Sequence, residues 1–211
     1  MKVIIVGAGG HGAVVADIFQ AARRAGSSVE AIGFVDDGRH AKSAHGLPVF
    51  GSTSSLASEP HDAVIVAVGD NRTRQRLFDM LRNQGEHLVT AVHPSAVLAS
   101  DVSIGEGSMV CAGAIINPGT VVGANSIVNT ASSLDHHNVV GAHVHIAPGV
   151  HTGGEVQIGE GAMLGIGTVV IPGRRIGAWA TVGAGGVVVR DIEPETVVIG
   201  VPAAPFRRIV E

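Results

Sequence analysis

The chain has 211 residues, of which 30 are glycine and only 3% are aromatic, and its formal net charge is −4. This length allows one large or two small domains, and the negative charge disfavours a nucleic-acid partner, which would favour a basic face. The only cysteine, Cys111, excludes an intrachain disulfide and is expected to be a buried apolar residue. The sequence begins without a signal-peptide pattern and contains no run approaching about 18 apolar residues. We therefore expect a cytoplasmic protein without a membrane span.

The first 90 or so residues alternate strand and helix signals. Strands are predicted at 3–6, 31–35 and 63–68, and helices at 13–24 and 71–83, where apolar residues recur on one helical face. This alternation is typical of a small parallel sheet, here of about three or four strands. The dipeptide His93-Pro94 is predicted to end the unit, because the residue before proline disfavours a helix. We therefore divide the chain into domains 1–92 and 93–211.

A glycine-rich segment links the first predicted strand to the first predicted helix. Its pattern, Gly7-x-Gly9-x-x-Gly12, suits anion binding, because backbone N–H groups and a helix N-terminus attract negative charge. With Asp36-Asp37 some 24 residues later, the segment formally matches a dinucleotide-binding pattern, although a simple turn is the alternative interpretation of the two aspartates. A sheet this small is only half of a dinucleotide-binding fold.

A period of six residues begins after the boundary. Fourteen of the fifteen residues in steps of six from position 104 to position 188 are aliphatic, and the exception, Thr152, is β-branched. Hexapeptide repeats belong to β-helices, in which each repeat forms one side of a triangular coil and its aliphatic residue points inward. Glycine also recurs every 18 residues, once per coil, which predicts a corner with φ > 0 or close stacking of coils; these glycines are Gly105, Gly123, Gly141, Gly159 and Gly177.

The whole chain resembles the sugar O- and N-acetyltransferases of the sialic acid acetyltransferase type, including those that act on UDP-linked bacillosamine precursors and GDP-perosamine. The matching segments are Gly7-Ala8-Gly9-Gly10-His11-Gly12, Asp36-Asp37, Val68-Gly69-Asp70-Asn71, His93-Pro94-Ser95-Ala96, Asn129-Thr130, Asp135-His136, His145-Ile146 and Gly200-Val201-Pro202-Ala203. The resemblance implies a Rossmann-like α/β half domain followed by a left-handed parallel β-helix. It also implies a homotrimer that uses acetyl-CoA as co-substrate and needs no metal.

By this resemblance, the expected reaction moves the acetyl group of acetyl-CoA to an amino group of a nucleotide-linked dideoxy sugar, by direct attack on the thioester. We favour the 4-amino group, while N- and O-acetylation, the nucleotide, the sugar and the pathway all stay open. The resemblance places the coenzyme near His145, Gly154, Ile166 and Ala184. It places the pyrophosphate or sugar near Gly10 and His11, the base and ribose near Asp36, Asp37 and Asn71, and the amino sugar near Asn129.

The resemblance also places the general base at His136. Histidine suits this role because its unperturbed pKa is about 6.5. Relatives often carry a carboxylate directly after the base, whereas this sequence has His137 there. Three arrangements stay open: Asp135 accepts the other ring N–H of His136, a backbone carbonyl accepts it, or His136 is a weaker base. We favour Asp135.

His136 and His145 are nine residues apart, which is half of one 18-residue coil. They are therefore predicted to lie on different sides of the triangle within one subunit. The two can share a site only if neighbouring subunits of a closed ring assemble it.

Three other classes of protein stay possible. A γ-class carbonic anhydrase shares the hexapeptide coil and binds zinc through histidines; the candidates here are His136, His137, His143, His145 and His151. A non-catalytic trimeric binding protein is conceivable because His137 replaces the usual acid. An NAD-dependent oxidoreductase would require a catalytic domain that the repeat region does not resemble.

Overall fold

A computed structural model describes residues 1–38 and 41–208 of the chain. Its first part contains a three-stranded parallel sheet in the order β2-β1-β5, with a small antiparallel pair formed by β3 and β4. The elements are β1 (Lys2–Val6), α1 (Gly10–Arg24), β2 (Glu30–Val35), β3 (Ser43–Ala44), β4 (Leu47–Pro48), a 3-10 turn (Thr53–Ser58), β5 (Ala63–Val66) and α2 (Asn71–Asn83). The predicted parallel sheet is confirmed, although α1 begins three residues earlier than predicted, inside the glycine-rich segment.

The two helices cover opposite faces of this sheet. Because side chains alternate along a strand, Val3 and Ile5 of β1 point to the side where α1 packs. Ile4 and Val6 point to the side of α2, where they join Phe78 and Leu81. All of these side chains are at most 2% exposed. The sheet is therefore buried on both faces, as expected for a parallel βαβ unit.

The second part is a three-sided coil of two-residue strands separated by four-residue turns. These strands are β6 (Ala91–Val92), β7 (Val97–Leu98), β8 (Ser103–Ile104), β9 (Met109–Val110), β10 (Ile115–Ile116), β11 (Val121–Val122), β12 (Ile127–Val128), β13 (Ser133–Leu134), β14 (Val139–Val140), β15 (His145–Ile146), β16 (His151–Thr152), β17 (Gln157–Ile158), β18 (Met163–Leu164), β19 (Val169–Val170), β20 (Arg175–Ile176), β21 (Thr181–Val182) and β22 (Val187–Val188). β23 (Thr196–Ile199) and β24 (Ala204–Arg208) close the coil with an antiparallel pair.

Every third strand pairs in parallel with the strand 18 residues away, which produces three flat faces. Face 1 contains β6, β9, β12, β15, β18 and β21 and ends in β23 and β24. Face 2 contains β7, β10, β13, β16, β19 and β22, and face 3 contains β8, β11, β14, β17 and β20. The structure thus confirms the β-helix that the six-residue period predicts. The first strand of the β-helix, β6, comes just before the predicted boundary at residue 93. The division into domains 1–92 and 93–211 stays a prediction.

From β9 to β22, the second residue of each two-residue strand fills the interior of the prism. These residues form one continuous apolar cluster, and Thr152, the exception in the repeat, is also buried. The glycines with an 18-residue period make close stacking possible: a Cβ on Gly105 would lie 2.4 Å from the backbone nitrogen of Ala124 in the next coil. The left-handed φ values occur two residues later in each corner, for example at Gly107. Of the two predicted explanations for the glycine period, close stacking is therefore the one observed.

The first part of the chain rests on the β-helix through both helices. Helix α1 packs over face 1, where the outward side chains of Met109 and Ile127 are fully buried. Helix α2 runs along the corner between faces 3 and 1, where Phe78 meets the ring of His143 at 5.6 Å. Among the described residues, no helix is long and apolar enough to cross a membrane.

Candidate active site

The glycine-rich segment forms a tight turn from β1 into α1. Gly7 has φ 107°, and a Cβ on Gly12 would lie 2.2 Å from the carbonyl oxygen of Gly7. Only glycine at position 12 therefore lets the helix pass so close to the loop. Gly10 is exposed in the first turn of α1, and His11 follows it half-buried. The exposed first turn has the chemistry of an anion site, because its N–H groups point away from the helix.

Asp36 and Asp37 both hold backbone groups of neighbouring loops. The two oxygens of Asp36 accept the N–H of Ala8 at 2.7 Å and the N–H of Gly38 at 2.8 Å. Asp37 accepts the N–H and the hydroxyl of Thr53. Asp36 thus ties the loop after β2 to the glycine-rich segment, and this explains part of the Asp36-Asp37 pattern without a ligand. The predicted contacts of both aspartates with a nucleotide stay predictions.

Asn71, which is predicted to lie near a base or ribose, joins helix α2 to the β-helix. Its side chain is buried at the first turn of α2, where Nδ2 donates to the carbonyls of Gly161 and Ala162 in the β-helix. Its Oδ1 accepts from Arg74. The amide is therefore occupied on both sides by contacts that join α2 to the coil. The predicted contact of Asn71 with a base or ribose stays a prediction.

Four groups meet where α1 and the loop before α2 lie on face 1. The rings of His11 and His145 are 5.3 Å apart, edge to face. Nδ1 of His145 donates to the carbonyl of Gly69 at 3.4 Å, and its Nε2 accepts from the amide of Asn129 at 3.1 Å. Asn129 is only 7% exposed. In this protomer, Asn129 therefore positions His145, and its predicted contact with an amino sugar stays untested.

The electrostatics of this buried cluster favour uncharged histidines. Burial lowers the pKa of His145 to about 3, and the positive charges of Arg74 and His11 add to the effect. Burial, followed by the charge of Arg74, also lowers the pKa of His11. His145 is therefore a neutral hydrogen-bonding group throughout the physiological pH range, and it is not suited to taking up a proton.

The depressed pKa of His145 predicts a loss of stability in mild acid. In the unfolded chain this imidazole binds a proton near pH 6.5, whereas the folded chain resists protonation down to about pH 3. Between those values the unfolded state holds more protons, so the free energy of unfolding falls as the pH falls, by up to about 1.4 kcal/mol per pH unit. The free energy of unfolding, measured with urea between pH 7.5 and 4.5, should depend less steeply on pH for His145→Gln than for the wild type. The exposed His87, replaced in the same way, is the matched control, and an unchanged slope in His145→Gln would contradict the depressed pKa.

His136 lies at the corner between faces 2 and 3, exposed to solvent. A Cβ on Gly154, one coil further on, would lie 2.3 Å from Cε1 of His136, so the ring rests against a position that only glycine leaves open. The carboxylate of Asp135 does not contact this ring. Its Oδ1 accepts the backbone N–H of His136 at 2.8 Å and the amide of Asn117 at 3.0 Å. The favoured arrangement, with Asp135 on the ring, is therefore replaced by a contact between His136 Nδ1 and His137 Nδ1 at 3.0 Å.

The remaining residues predicted for the coenzyme lie at two different corners. Gly154 is beside His136, whereas Ile166 and Ala184 lie one coil apart at the corner between faces 1 and 2, where both are exposed. His145 lies on face 1 under the first part of the chain. The structure thus places His136 and His145 on different sides of the prism, as their spacing predicts. Whether these residues contact a coenzyme stays a prediction.

Arg74 was not singled out in the sequence, yet it is the largest fully buried side chain in the described part of the chain. Its guanidinium reaches from α2 into the corner between faces 3 and 1, where it donates to five carbonyls and one side-chain amide. The same helix also carries Arg72, Arg76 and Arg82, so nothing in the local sequence marks Arg74 as the buried arginine. The only hint in the sequence is its place four residues after Asp70, the N-cap of α2.

Cys111 is fully buried, as predicted, and burial raises the pKa of its thiol to about 12. Within residues 1–38 and 41–208, no three histidine, cysteine or acidic side chains are grouped as a metal site would require. The five histidines considered as zinc ligands are spread over several positions: His143 is buried against Phe78, and His151 bonds to the Ser133 hydroxyl.

Comparison with known proteins defines the class to which this fold and site belong. The sequence model of the PglD N-terminal domain matches residues 2–81. A solved structure of PerB from Caulobacter crescentus, in complex with CoA and GDP-perosamine, is 41% identical over 98% of each chain, with a TM-score of 0.90. The acetyltransferase domain of PglB from Neisseria gonorrhoeae, in complex with acetyl coenzyme A, is 37% identical over 97% of this chain and 98% of that chain, also with a TM-score of 0.90.

The curated relatives match over shorter stretches. A UDP-N-acetylbacillosamine N-acetyltransferase from Bacillus subtilis is 36% identical over 115 residues, which is 53% of this chain and 51% of that protein. A putative acetyltransferase from Schizosaccharomyces pombe matches over 24% of its length. The coil is thus a left-handed β-helix of the acetyltransferase class. The chain belongs to the family of hexapeptide-repeat sugar acetyltransferases.

Proposed function

We propose that this chain transfers the acetyl group of acetyl-CoA to an amino group of a nucleotide-linked dideoxy sugar, specifically the 4-amino group. The observation that carries the proposal is similarity over the full length, at 41% identity, to a C. crescentus protein whose structure contains CoA and GDP-perosamine. Because the similarity spans both parts of the chain, it covers the glycine-rich segment as well as the β-helix.

The first part of the chain is the proposed binding site for the nucleotide sugar. The carboxyl ends of β1, β2 and β5 meet at one edge of the sheet, where ligands of such folds bind. Gly10 and His11 lie at this edge in the first turn of α1, where N–H groups favour a pyrophosphate. Asp36 and Asp37 follow β2 at the same edge, within reach of a nucleoside.

His136 is the proposed general base. The neutral sugar nitrogen attacks the thioester carbonyl, a C–N bond forms, the C–S bond breaks, and CoA leaves as the thiol. His136 takes the proton that the nitrogen loses and can pass it to the departing sulfur. The exposed ring is accessible to a substrate, and the buried, protonated thiol of Cys111 is not suited to carry an acyl group. We therefore propose direct transfer.

A homotrimer is the proposed active assembly. His136 and His145 lie on different sides of one prism, so a site that uses both requires two protomers in a closed ring. Apolar side chains project from faces 2 and 3 and would be covered by such contacts; they include Val97, Ile115, Val121, Val139 and Val169, which are 40–61% exposed. The coenzyme would then lie in the groove between the β-helices of adjacent protomers, near Gly154, Ile166 and Ala184. A monomer with full activity in sedimentation-coupled assays would refute this arrangement.

The test of the activity is a thiol-release assay with acetyl-CoA and a matched panel of acceptors. UDP- and GDP-linked 4-amino sugars are paired with the same sugars carrying a 4-hydroxyl group. We expect turnover with an amine and none with its hydroxyl counterpart. Turnover of the hydroxyl sugars would instead indicate an O-acetyltransferase. Binding of nucleotide sugars without any thiol release would indicate a non-catalytic binding protein.

A further inference from the structure

The rings of His136 and His137 share one hydrogen bond, and this pair has a role that the proposed function does not assign. We propose that His137 is a positioning residue whose Nδ1 accepts the Nδ1 proton of His136 and thereby keeps the outer Nε2 of His136 free as a base. This inference rests on the proposed function, because it specifies how the proposed base is held in its reactive form.

Both rings are seated on glycines of the adjoining coils. His136 lies against Gly154 of the following coil, and His137 lies against Gly119 of the preceding coil, where a Cβ would come within 2.6 Å of Cδ2 of His137. The ring centroids are 5.2 Å apart and the ring planes are inclined by 78°. Replacing either glycine by any other residue would displace one ring. The coil therefore leaves space for both imidazoles at the two places that bring their Nδ1 atoms to 3.0 Å.

The backbone at this corner is fixed independently of the rings. His137 has φ 57°, and its N–H donates to the carbonyl of Pro118 at 2.9 Å. The carboxylate of Asp135 is directed to the backbone N–H of His136. That hydrogen bond, together with the one from Asn117, lowers the pKa of Asp135, so this carboxylate remains charged. With Asp135 occupied in this way, His137 is the side chain that contacts the ring of the proposed base.

Counting protons shows which tautomers the hydrogen bond allows. A bond between two Nδ1 atoms requires one proton between them. When the pair is uncharged, one further proton is on the Nε2 of either His136 or His137. The reactive form has it on His137, so Nε2 of His136 has a free lone pair. After His136 takes the substrate proton, its cationic Nδ1–H donates a stronger, charge-assisted bond to His137.

A third proton on the two rings removes the free base, whichever ring carries the positive charge. With three protons on the two rings, one is shared between the Nδ1 atoms and both Nε2 atoms are protonated, so no free base remains.

Variants at position 137 can be chosen so that the fold tolerates them. The same corner conformation recurs along the coil at Ala131, with φ 54°, and at Glu155, with φ 59°. Alanine and glutamate are therefore both accommodated at this backbone geometry. His137→Ala removes the acceptor, and His137→Glu supplies a carboxylate acceptor in its place.

The test is ¹⁵N NMR of the imidazole nitrogens in the full-length protein labelled at histidine, with kinetics on the same samples. In the wild type we expect His136 to be protonated at Nδ1 and free at Nε2. His137→Ala should lose this preference and lower kcat by about 10–100-fold, the size of effect typical when the hydrogen-bond partner of a metal-bound histidine is removed. His137→Glu should restore the tautomer and most of kcat.

An unchanged His136 tautomer in His137→Ala would overturn the proposal. The NMR result does not depend on finding the sugar, so it separates failure of this inference from failure of the proposed activity. His87→Ala, at an exposed position in the first part of the chain, is the control for loss of a histidine. Equal kcat values for the alanine and glutamate variants, both reduced, would also overturn the proposal, because a positioning role requires rescue by the new acceptor.

Discussion

Replacing His136 by alanine is expected to lower kcat by about 10²–10⁴-fold, the usual contribution of a general base. This loss corresponds to about 3–5 kcal/mol of transition-state stabilisation. The exposed ring makes no contact with the core, so the folded structure should persist and substrate binding should change much less than turnover. Steady-state kinetics with a 4-amino sugar, together with a thermal unfolding curve, measure both effects.

His87→Ala is the matched control for this experiment, because His87 is also exposed and lies in the first part of the chain, away from the corner. It should retain full turnover. If His136→Ala retained full turnover as well, another group would be the base. An increase in KM with unchanged kcat would place His136 in substrate binding rather than in proton transfer.

Replacing Arg74 by methionine is expected to lower the free energy of unfolding by about 3–5 kcal/mol. Methionine fills a similar length without hydrogen bonds, so buried acceptors lose their donor, and each such loss typically costs about 1–3 kcal/mol. Water or local shifts can satisfy some of these acceptors, so the expected loss of stability is smaller than the sum of the single costs. The acceptors are the carbonyls of Val68, Gly69, Asn125, His143 and Val144, and Oδ1 of Asn71.

Arg76→Met is the matched control, because Arg76 lies two residues further along the same helix with an exposed side chain. A change at such a surface position should remain within about 0.5 kcal/mol. Urea unfolding at one fixed protein concentration compares the two variants, since association would otherwise shift the midpoint. Equal stability of both variants would contradict a stabilising role for the buried guanidinium.

Arg74 also links stability to the electrostatics of the site. Its carbonyl partners belong to the loop before α2 and to the corner between faces 3 and 1, so one side chain joins both parts of the chain. Burial lowers its pKa to about 10, which leaves it charged at neutral pH. That charge is one cause of the low pKa of His145. The same residue therefore holds the two parts together and helps keep His145 neutral.

The repeat and the class of protein could be predicted from the sequence because their signals are local and periodic. A residue such as Ile146 must point inward whenever its neighbours six residues away do, since every side of the prism has the same length. Glycines that allow close stacking of coils, such as Gly105, recur in the same way with a period of 18 residues. The glycine-rich turn was likewise visible, because Gly7 and Gly12 satisfy a backbone requirement within a few residues.

The roles of single side chains could not be predicted in this way, because they depend on contacts between distant parts of the chain. The amide of Asn71 bonds to carbonyls 90 and 91 residues away, a contact that no local pattern indicates. Arg74 finds its acceptors 51 and 69 residues away. Asp135 was expected on the His136 ring, but the turn directs its carboxylate to the backbone N–H and brings His137 to the ring instead.

The amino-acid sequence alone determined that this chain folds as a parallel βαβ unit followed by a β-helix, because hydrophobic period and glycine spacing act through the backbone of each repeat. Only the tertiary structure decided which polar groups face one another, since α2 and the corner that it covers are brought together by burial of apolar surface. His145 illustrates the difference. Its place in the repeat follows from the spacing of the sequence, but its low pKa results from burial and from the charge of Arg74.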